Sequence, residues 1–513
     1  MSDHPSMAVY RPDPDAPAAR VLADLERLAV TRAELPGRLV RDMLVDPACA
    51  LTDLSALETI TCTDDTPVPA DAGDLLGASI ERRQAPCAAP PQAEPIPAVV
   101  RARLRTGAER AGDAEMSGIA LGPALQMADD LDRAALLTML HALRIPASGV
   151  DVGEVMAPVV PEYRPLVRRW LAALGDHGLL EGAGGRGGAQ RVRATRAVAA
   201  TDIAESWDRV ERGWRQSLSP DSALDGAPRP GTGSKTLAYA RASADRLPEL
   251  LRGAVSPMSL LFPDGSPEVA RALYREPPVG RYQLAAVAGF VSELADALPG
   301  DRPLRLLEVG GGTGATTERV LAALDGHPVD YLFTDLSDYF LTAAQDLFGT
   351  GRFPAAAIRV GRFDIDGTDG TDGPDGPDGP DGPDGADDQG VGGGFDVVLA
   401  GGVLNNARDT DRSLRLLTAR LAPGGWLLIT EPTREVQWIA MSQAFLMTAA
   451  TDERQRSGET FLSHRQWLAA FDRIRELDLV LDLPPTDHPL RRAGHRFFAL
   501  QRSSAPTASG ATR

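Results

Sequence analysis

The chain has 513 residues, of which 43% are hydrophobic, and its formal net charge is −18. This length leaves room for roughly two to four domains, and the acidic balance disfavours non-specific binding of nucleic acid. The three cysteines (Cys49, Cys62 and Cys87) form no Cys-x-x-Cys pair, so they predict neither a disulfide framework nor a zinc site. The N-terminal sequence has no secretory pattern, and no run approaches about 18 apolar residues. We therefore expect a cytoplasmic protein without a metal site and without nucleic-acid or membrane partners.

Residues 1–115 form a first region that is rich in Ala, Pro, Asp and Arg. Amphipathic helices are predicted at Ala18–Leu28 and near Leu35–Leu44. The composition of Pro86–Pro97 is typical of a linker. The sequence predicts no function for this region.

Residues 116–200 are predicted to form a winged-helix-like domain. An amphipathic helix at Leu131–Leu143 and a proline-started helix at Arg164–Gly175 are predicted. They precede two short segments, Gly178–Leu180 and Arg191–Arg193, that flank a glycine-rich turn like the wing of a winged helix. Because this wing carries glycine rather than basic residues, DNA binding is not favoured. We expect the domain to form a homodimer or to cap the substrate. Residues 201–300 are predicted to be a helical lid or linker.

Residues 301–502 alternate strands and helices with short connections, which indicates a doubly wound α/β sheet. Two late apolar runs lack a helix between them and are predicted to pair as an antiparallel hairpin. The predicted strands are 304–309, 329–334, 357–363, 395–400, 425–430, 477–483 and 495–501. Residues 366–394 carry an Asp/Gly/Pro repeat that predicts a disordered surface loop, and residues 503–513 are predicted to be a disordered tail.

The first strand of this domain ends in Glu308 and is followed at once by a glycine-rich turn and a helix. Gly310, Gly312 and Gly314 fit the alternating glycines of an S-adenosylmethionine (SAM) site, although the spacing also fits a dinucleotide fingerprint. A carboxylate at position 308 would repel a pyrophosphate. It suits a ligand that carries an ammonium and a sulfonium group, directly or through water.

The next strand ends are predicted to complete the cofactor site, since carboxyl ends of parallel strands meet at one crevice. Asp335 is placed to accept hydrogen bonds from the ribose hydroxyls, although it can also cap the helix that follows. Asp364 is a candidate acceptor for the adenine amino group, with Phe363 packing on the ring, and a plain loop aspartate is the alternative. The remaining predicted cofactor contacts are Leu336, Gly401 and Tyr282, the last from a helix expected to cover the ligand.

The candidate catalytic residues follow the fourth and fifth strands. Asn405 and Asn406 can orient a substrate or hold a carbonyl, but an amide cannot act as a general base. Glu431 closes the fifth strand and is the first candidate base, since burial raises the pKa of a carboxyl. His464 is the second candidate, and a surface or capping histidine is the alternative.

Several segments together resemble the class I methyltransferase domains of polyketide synthases and nonribosomal peptide synthetases. They include Leu306–Thr317, Tyr331–Ser337, Phe395–Leu399, Leu421–Gly425 and Thr430–Thr433, and the likeness extends over about residues 130–502. The resemblance implies a Rossmann-like α/β fold with a seven-stranded sheet and an antiparallel C-terminal hairpin. It implies SAM as cofactor and S-adenosylhomocysteine as product.

The same resemblance implies a free-standing enzyme that tailors a biosynthetic intermediate, either free or tethered to a carrier protein. One position departs from it, because carbon-methylating members commonly carry His where this chain has Asn405, whereas their companion Glu is retained as Glu431. The acceptor atom therefore stays open among carbon, nitrogen and oxygen. Two alternatives also stay open: another SAM-derived alkyl transfer such as cyclopropane formation, and a SAM-sensing winged-helix regulator without catalysis.

Overall fold

The chain divides into two compact units, residues 1–91 and residues 92–513. This boundary lies before the one predicted near residue 115, because the helix that ends the predicted first region packs within the second unit. The predicted linker, most of the Asp/Gly/Pro loop and the tail lie outside the residues described. The computed structural model describes residues 9–12, 16–46, 48–49, 52–57, 59–62, 68, 72–76, 78–82, 98–182, 191–217, 234–298, 302–349, 351–367 and 391–503.

The first unit contains a three-stranded parallel sheet in the order β1-β2-β3. Its helices pack apolar side chains such as Val21 and Leu22 around the buried Ile60 of the central strand. The elements are α1 (Ala18–Arg27), β1 (Arg32–Leu35), α2 (Gly37–Val45), β2 (Thr59–Cys62), α3 (Ala72–Leu76) and β3 (Ser79–Arg82).

The second unit begins with helices and a small antiparallel sheet of order β4-β6-β5. Trp170 of this part is buried, and its indole donates a hydrogen bond to the carbonyl of Ala440. The helices of this part therefore pack on the segment around Ala440. The elements are α4 (Ala98–Met116), α5 (Leu121–Ala142), β4 (Val150–Asp151), α6 (Val152–Met156), α7 (Arg164–Asp176), β5 (Leu180–Glu181) and β6 (Arg191–Ala194).

Six helices connect this part to the large sheet. Pro278 opens the longest of them, at a position where the missing N–H of proline costs no helical hydrogen bond. That helix packs along α4 and against the sheet. The elements are α8 (Ala200–Ser217), α9 (Lys235–Asp245), α10 (Leu247–Leu251), α11 (Pro257–Leu261), α12 (Glu268–Arg275) and α13 (Pro278–Ala297).

A seven-stranded sheet of order β12-β13-β11-β10-β7-β8-β9 forms the centre of the second unit. Its strands are β7 (Leu304–Val309), β8 (Val329–Asp335), β9 (Ala356–Arg362), β10 (Phe395–Gly401), β11 (Leu421–Pro432), β12 (Leu477–Leu483) and β13 (His495–Arg502). The helices between them are α14 (Ala315–Ala323), α15 (Asp338–Phe348), α16 (Thr410–Arg420), α17 (Gln437–Met441), α18 (Glu453–Ser457) and α19 (His464–Arg473).

Strands β7 to β11 pair in parallel, whereas β13 runs antiparallel between β11 and β12. The central strands are nearly continuous apolar runs because helices cover both faces of a parallel sheet. This topology confirms the predicted α/β fold and its antiparallel C-terminal hairpin. The carboxyl ends of β7, β8, β10 and β11 meet at one edge and so bring the predicted site residues to one crevice.

Candidate functional site

The glycine turn after β7 has a left-handed backbone. Gly310 has φ +61° and Gly312 has φ +53°, values that L-residues with a side chain adopt only at a cost. A Cβ at Gly310 would lie 2.3 Å from Cγ2 of Val403, whereas a Cβ at Gly312 would meet nothing closer than the Gly310 carbonyl oxygen at 3.8 Å. The space beside Gly312 is therefore open, as a ligand held by this turn requires.

Asp335 joins this turn to the end of β8. Its Oδ2 accepts a hydrogen bond from the backbone N–H of Gly312 at 2.9 Å, and its Oδ1 accepts one from Ser337 N–H at 2.9 Å. Only 9% of Asp335 is exposed, while the adjacent Leu336 is 48% exposed. A carboxylate and an open apolar side chain thus lie side by side next to the open space at Gly312, an arrangement that fits a ribose and its base.

Glu308 lies beneath the turn, where it is 2% exposed. Its Oε2 accepts hydrogen bonds from the hydroxyls of Thr317 and Tyr331, the latter at 2.8 Å. Among the described residues no donor reaches Oε1, so that oxygen remains available to a ligand or a water. Burial raises the pKa of Glu308 to about 7, against the two hydrogen bonds, which lower it. A cationic ligand nearby would favour the ionised form.

Alanine at Gly310 is expected to destabilise the fold by about 2–4 kcal/mol, because the side chain adds backbone strain and collides with Val403. Alanine at Gly312 adds only the strain, about 1–2 kcal/mol, but its methyl enters the open space. We therefore expect Gly312→Ala to lose SAM affinity with the smaller loss of stability. Urea unfolding measures the stability of the two variants, and calorimetric titration measures their affinity for SAM. Equal losses of stability would contradict the assignment of Val403 as the side chain that the Gly310→Ala methyl collides with.

Two of the predicted cofactor contacts, Phe363 and Tyr282, have side chains packed in the core, whereas the contact predicted for Asp364 stays a prediction. Asp364 is exposed and its Oδ1 accepts from the Asp366 N–H, a local turn. Phe363 is buried in the core and faces the Arg420 guanidinium at 5.6 Å, so its ring packs inside the protein. Tyr282 is also a core residue, because α13 packs against α4 rather than over the crevice.

Glu431 and Asn405 form one hydrogen-bonded unit at the ends of β10 and β11. Glu431 is 1% exposed, and its Oε1 accepts from the backbone N–H groups of Leu404 at 2.8 Å and Asn405 at 3.2 Å. Its Oε2 accepts from Nδ2 of Asn405 at 3.0 Å. Burial raises the pKa of Glu431 to about 7, although these hydrogen bonds and the charge of Arg454 lower it.

The other two predicted catalytic residues lie elsewhere. Asn406 follows in the same short 3-10 turn, and its buried Oδ1 has no hydrogen-bond partner among the described residues. His464 begins α19 and its Nε2 pairs with Asp482 of the outer strand β12 at 2.8 Å. Neither residue borders the acceptor cavity described below. The helix cap is Ser463 rather than His464, and the partly exposed side chain of His464 fits the surface alternative better than the role of a base.

A largely apolar cavity opens beside Glu431 and Asn405, and we call it the acceptor cavity. It encloses about 1260 Å³ of empty space, solvent at its mouth included. Its walls come from α5, α8, α9, α12, α13 and the segment after β11, and from Gly402 at the end of β10. The glycine turn and Asp335 do not border it. At the strand ends the cavity is bordered by Gly402 and Asn405 after β10 and by Thr430 and Glu431 of β11. We take the end of the fourth strand, around Gly402 and Asn405, as the junction of the cavity with the cofactor crevice.

Tyr274 borders the acceptor cavity at this junction and was not predicted from the sequence. Its ring lies 3.2 Å from the position of a Cβ on Gly402. Although 41% of its surface is open, that surface faces the cavity. The pKa of Tyr274 is raised to about 12 by loss of water around it and by the carboxyls of Glu431 and Asp335. The helical pattern of α12 gives no signal that singles out this tyrosine.

A polar group at the other side of the cavity was also missed. Asp132 of α5 accepts from the backbone N–H of Trp438 at 3.1 Å, faces Arg434 at 3.7 Å, and has a pKa that burial raises to about 6. Arg434 Nε donates to the carbonyl of Ala493 at 3.0 Å. Burial lowers the pKa of His495, which borders the same cavity, to about 4. Sequence periodicity places Asp132 on a helix but cannot show that it faces a cavity formed by distant segments.

Within the described ranges, no helix is both long enough and apolar enough to cross a membrane. The same ranges bring together no group of three His, Cys, Asp or Glu side chains that could hold a metal ion.

Known proteins match a large part of the chain, including the glycine turn and the end of β8. Residues 307–427 match the family model described as a methyltransferase domain. The chain is 33% identical over 353 residues to the pyochelin synthetase PchF of Pseudomonas aeruginosa, covering 66% of this chain and 17% of that protein. It is 31% identical over 345 residues to the polyketide synthase ThaG of Burkholderia thailandensis, covering 64% of this chain and 5% of that protein. The chain thus spans less than a fifth of these relatives' length.

Solved structures have the same fold. The CurJ carbon methyltransferase superposes with a TM-score of 0.64 at 21% identity, covering 79% of this chain and 99% of that chain. The DszA carbon methyltransferase superposes with a TM-score of 0.61 at 22% identity, covering 80% and 97%. With the family match, the glycine turn and the carboxylate after β8, these findings establish that the chain contains a class I SAM-dependent methyltransferase domain. They favour neither the ring-closing enzyme nor the SAM-sensing regulator.

Proposed function

We propose that the protein methylates an apolar biosynthetic intermediate of the polyketide or nonribosomal peptide type, at carbon, nitrogen or oxygen. The observation that carries this proposal is the acceptor cavity, which is largely apolar and reaches the strand ends at Gly402 and Asn405. A substrate in that cavity would have its reacting atom at this junction, with the rest of its surface against apolar walls. The curated relatives are synthetases and synthases, which supports this substrate class.

The helical part of the second unit forms part of the cavity wall, and this supports the substrate-capping role predicted for it. Helix α5 contributes Leu125, Met127 and Leu131 to one wall of the acceptor cavity. Trp438 and Met447, from the segment after β11, contribute further apolar surface. Such a roof keeps water from the reacting atoms, which strengthens electrostatic interactions in the site. A carrier-tethered intermediate would enter through the mouth of the cavity with its tether outside.

The residues have separable roles in this proposal. SAM supplies an electrophilic methyl group whose leaving group is a neutral thioether. The glycine turn, Asp335 and Leu336 would hold it, with Glu308 beneath. Asn405 orients the acceptor, and Glu431 fixes the amide of Asn405 and receives a proton from the acceptor where one must leave. Positioning of the reacting atoms contributes most of the acceleration.

An assay with defined thioesters tests the proposal. The protein is incubated with SAM and N-acetylcysteamine thioesters of phenylalanine, phenyllactic acid and benzoylacetic acid, which mimic carrier-tethered substrates. We expect one of them to gain a single methyl by mass, with one equivalent of S-adenosylhomocysteine formed. The Asp335→Ala variant is the control without a competent cofactor site. Release of S-adenosylhomocysteine without any methylated product would contradict methyl transfer to this substrate class.

A further inference from the structure

Resting on the methyl transfer proposed above, we infer that the acceptor atom is a nitrogen that carries an N–H, and that Oδ1 of Asn405 accepts this hydrogen. Two features of the site point to this atom: the orientation in which the amide of Asn405 is held, and the charges that surround the junction between the acceptor cavity and the cofactor crevice.

The orientation of the Asn405 amide is set by two acceptors. Its Nδ2 donates to the carbonyl of Gly402 at 3.1 Å and to Oε2 of Glu431 at 3.0 Å. These bonds use both hydrogens of the amide nitrogen. A flipped amide would place Oδ1 against a carbonyl and a carboxyl oxygen, so the orientation follows from the network.

Oδ1 is therefore the only polar atom of this side chain that is left for a substrate. Asn405 borders the acceptor cavity, and no donor among the described residues reaches Oδ1. An amide oxygen accepts hydrogen bonds and cannot donate them. The site thus offers an acceptor at the junction, which fits a substrate atom that bears a hydrogen on nitrogen or oxygen.

The charges around the junction decide between the candidate atoms. Glu431 lies beside the amide and also borders the acceptor cavity, and the described cations nearby are already engaged. Arg454 donates to the carbonyls of Asn405 and Ala407 and to Asp452. Arg434 donates to Ala493 and faces Asp132, and its neighbour His495 is neutral near pH 7 because burial lowers its pKa to about 4.

Carbon and oxygen acceptors are usually activated as an enolate or an alkoxide. The described residues place no free cation at the junction to stabilise either anion, although the hydroxyls of Tyr274 and Thr430 border the cavity there. A neutral amine develops positive charge as it is methylated, and preorganised acceptors aimed at that charge lower the barrier. The nitrogen lone pair forms the N–C bond while the C–S bond breaks and leaves its electron pair on sulfur. The resulting ammonium then gives its N–H proton to the carboxylate of Glu431.

Two measurements with the same thioesters test the inference. In the first, SAM labelled with ¹³C at the methyl group is used, and the carbon chemical shift of the product shows which atom carries the label. We expect the phenylalanine thioester to be N-methylated with a kcat/KM at least about 100-fold above that of the benzoylacetic thioester. A product labelled mainly on carbon or oxygen would overturn the inference while leaving the proposed methyl transfer intact.

The second measurement needs no turnover. With S-adenosylhomocysteine present, calorimetry should show the phenylalanine thioester binding at least about tenfold more tightly than the benzoylacetic thioester. Asn405→Ala should remove this preference, whereas Asn406→Ala, which changes an amide outside the cavity, should keep it. If the wild-type protein shows no preference for the amine, the inference fails whether or not any probe is methylated.

Discussion

Asp335→Ala is expected to weaken SAM binding by at least about 100-fold, the largest effect on the cofactor that a single substitution should produce. The variant loses the acceptor proposed for the ribose hydroxyls, and hydrogen bonds to a charged group contribute about 1.5–3 kcal/mol each. It also releases the backbone N–H of Gly312, which Asp335 Oδ2 accepts at 2.9 Å. The turn would then lose the conformation that leaves open space beside Gly312. Calorimetric titration with SAM and with S-adenosylhomocysteine measures the effect.

Two further variants distinguish the loss of the Asp335 charge from a general effect of substitution in this segment. Asp335→Asn keeps an acceptor for Gly312 but removes the charge, so it should bind SAM better than the alanine variant and worse than the wild type. Asp338→Ala is the matched control, because Asp338 begins the following helix with its side chain 86% exposed. It should bind SAM within about twofold of the wild type. Unchanged affinity in Asp335→Ala would refute the assignment of the ribose site.

Glu431→Gln is expected to lower kcat by at least about 100-fold, within the range typical of general acid–base groups, while SAM affinity stays nearly unchanged. The three donors that contact Glu431 require acceptors on both of its oxygens. Glutamine offers one oxygen and one NH₂ group, so one donor would face another and the Asn405 amide would turn. Single-turnover kinetics and a SAM titration distinguish a loss of chemistry from a loss of binding.

The pH profile gives a second readout for Glu431. Its pKa is raised to about 7 by burial, so the carboxylate that accepts a proton is the minor form below pH 7 and the major form above it. Ionisation of Glu431 should therefore raise the rate about tenfold from pH 6 to pH 8. Because titration of an amine substrate affects both proteins alike, this rise should appear in the ratio of the wild-type rate to the rate of the glutamine variant.

Glu435→Gln is the matched control for the loss of a buried carboxyl. Glu435 accepts from the backbone N–H groups of Thr460 and Phe461, burial also raises its pKa, and it does not border the acceptor cavity. Both variants should lose a similar stability, about 1–3 kcal/mol, but only Glu431→Gln should lose turnover. Equal loss of turnover in both would assign Glu431 a structural role.

The cofactor half of the site follows closely from local sequence. Strand β7, the glycine turn and helix α14 are contiguous, and the positive φ values of Gly310 and Gly312 are what alternating glycines predict. Asp335 was located because the carboxyl end of each parallel strand meets the same crevice, so a carboxylate at that position needs only the strand boundary to be placed.

Local sequence was a poor guide where orientation mattered. Phe363 and Tyr282 lie on predicted elements, yet their rings face the core because α13 and the sheet pack there. His464 was selected for its chemistry and its position after β11, and its pairing with Asp482 of β12 depends on an antiparallel hairpin that places the two together. The spacing of residues in the sequence does not determine the direction in which any of these three side chains points.

The sequence by itself determined the fold of the large sheet and the nature of the cofactor, because both depend on contiguous residues and on strand order. Only the tertiary structure decided the acceptor side. Asp132 of α5, Tyr274 of α12 and His495 of β13 border one cavity although these elements lie far apart in the chain. The direction of the Asn405 amide likewise depends on Glu431, a residue on another strand, since a hydrogen-bond network is a property of packed neighbours rather than of sequence order.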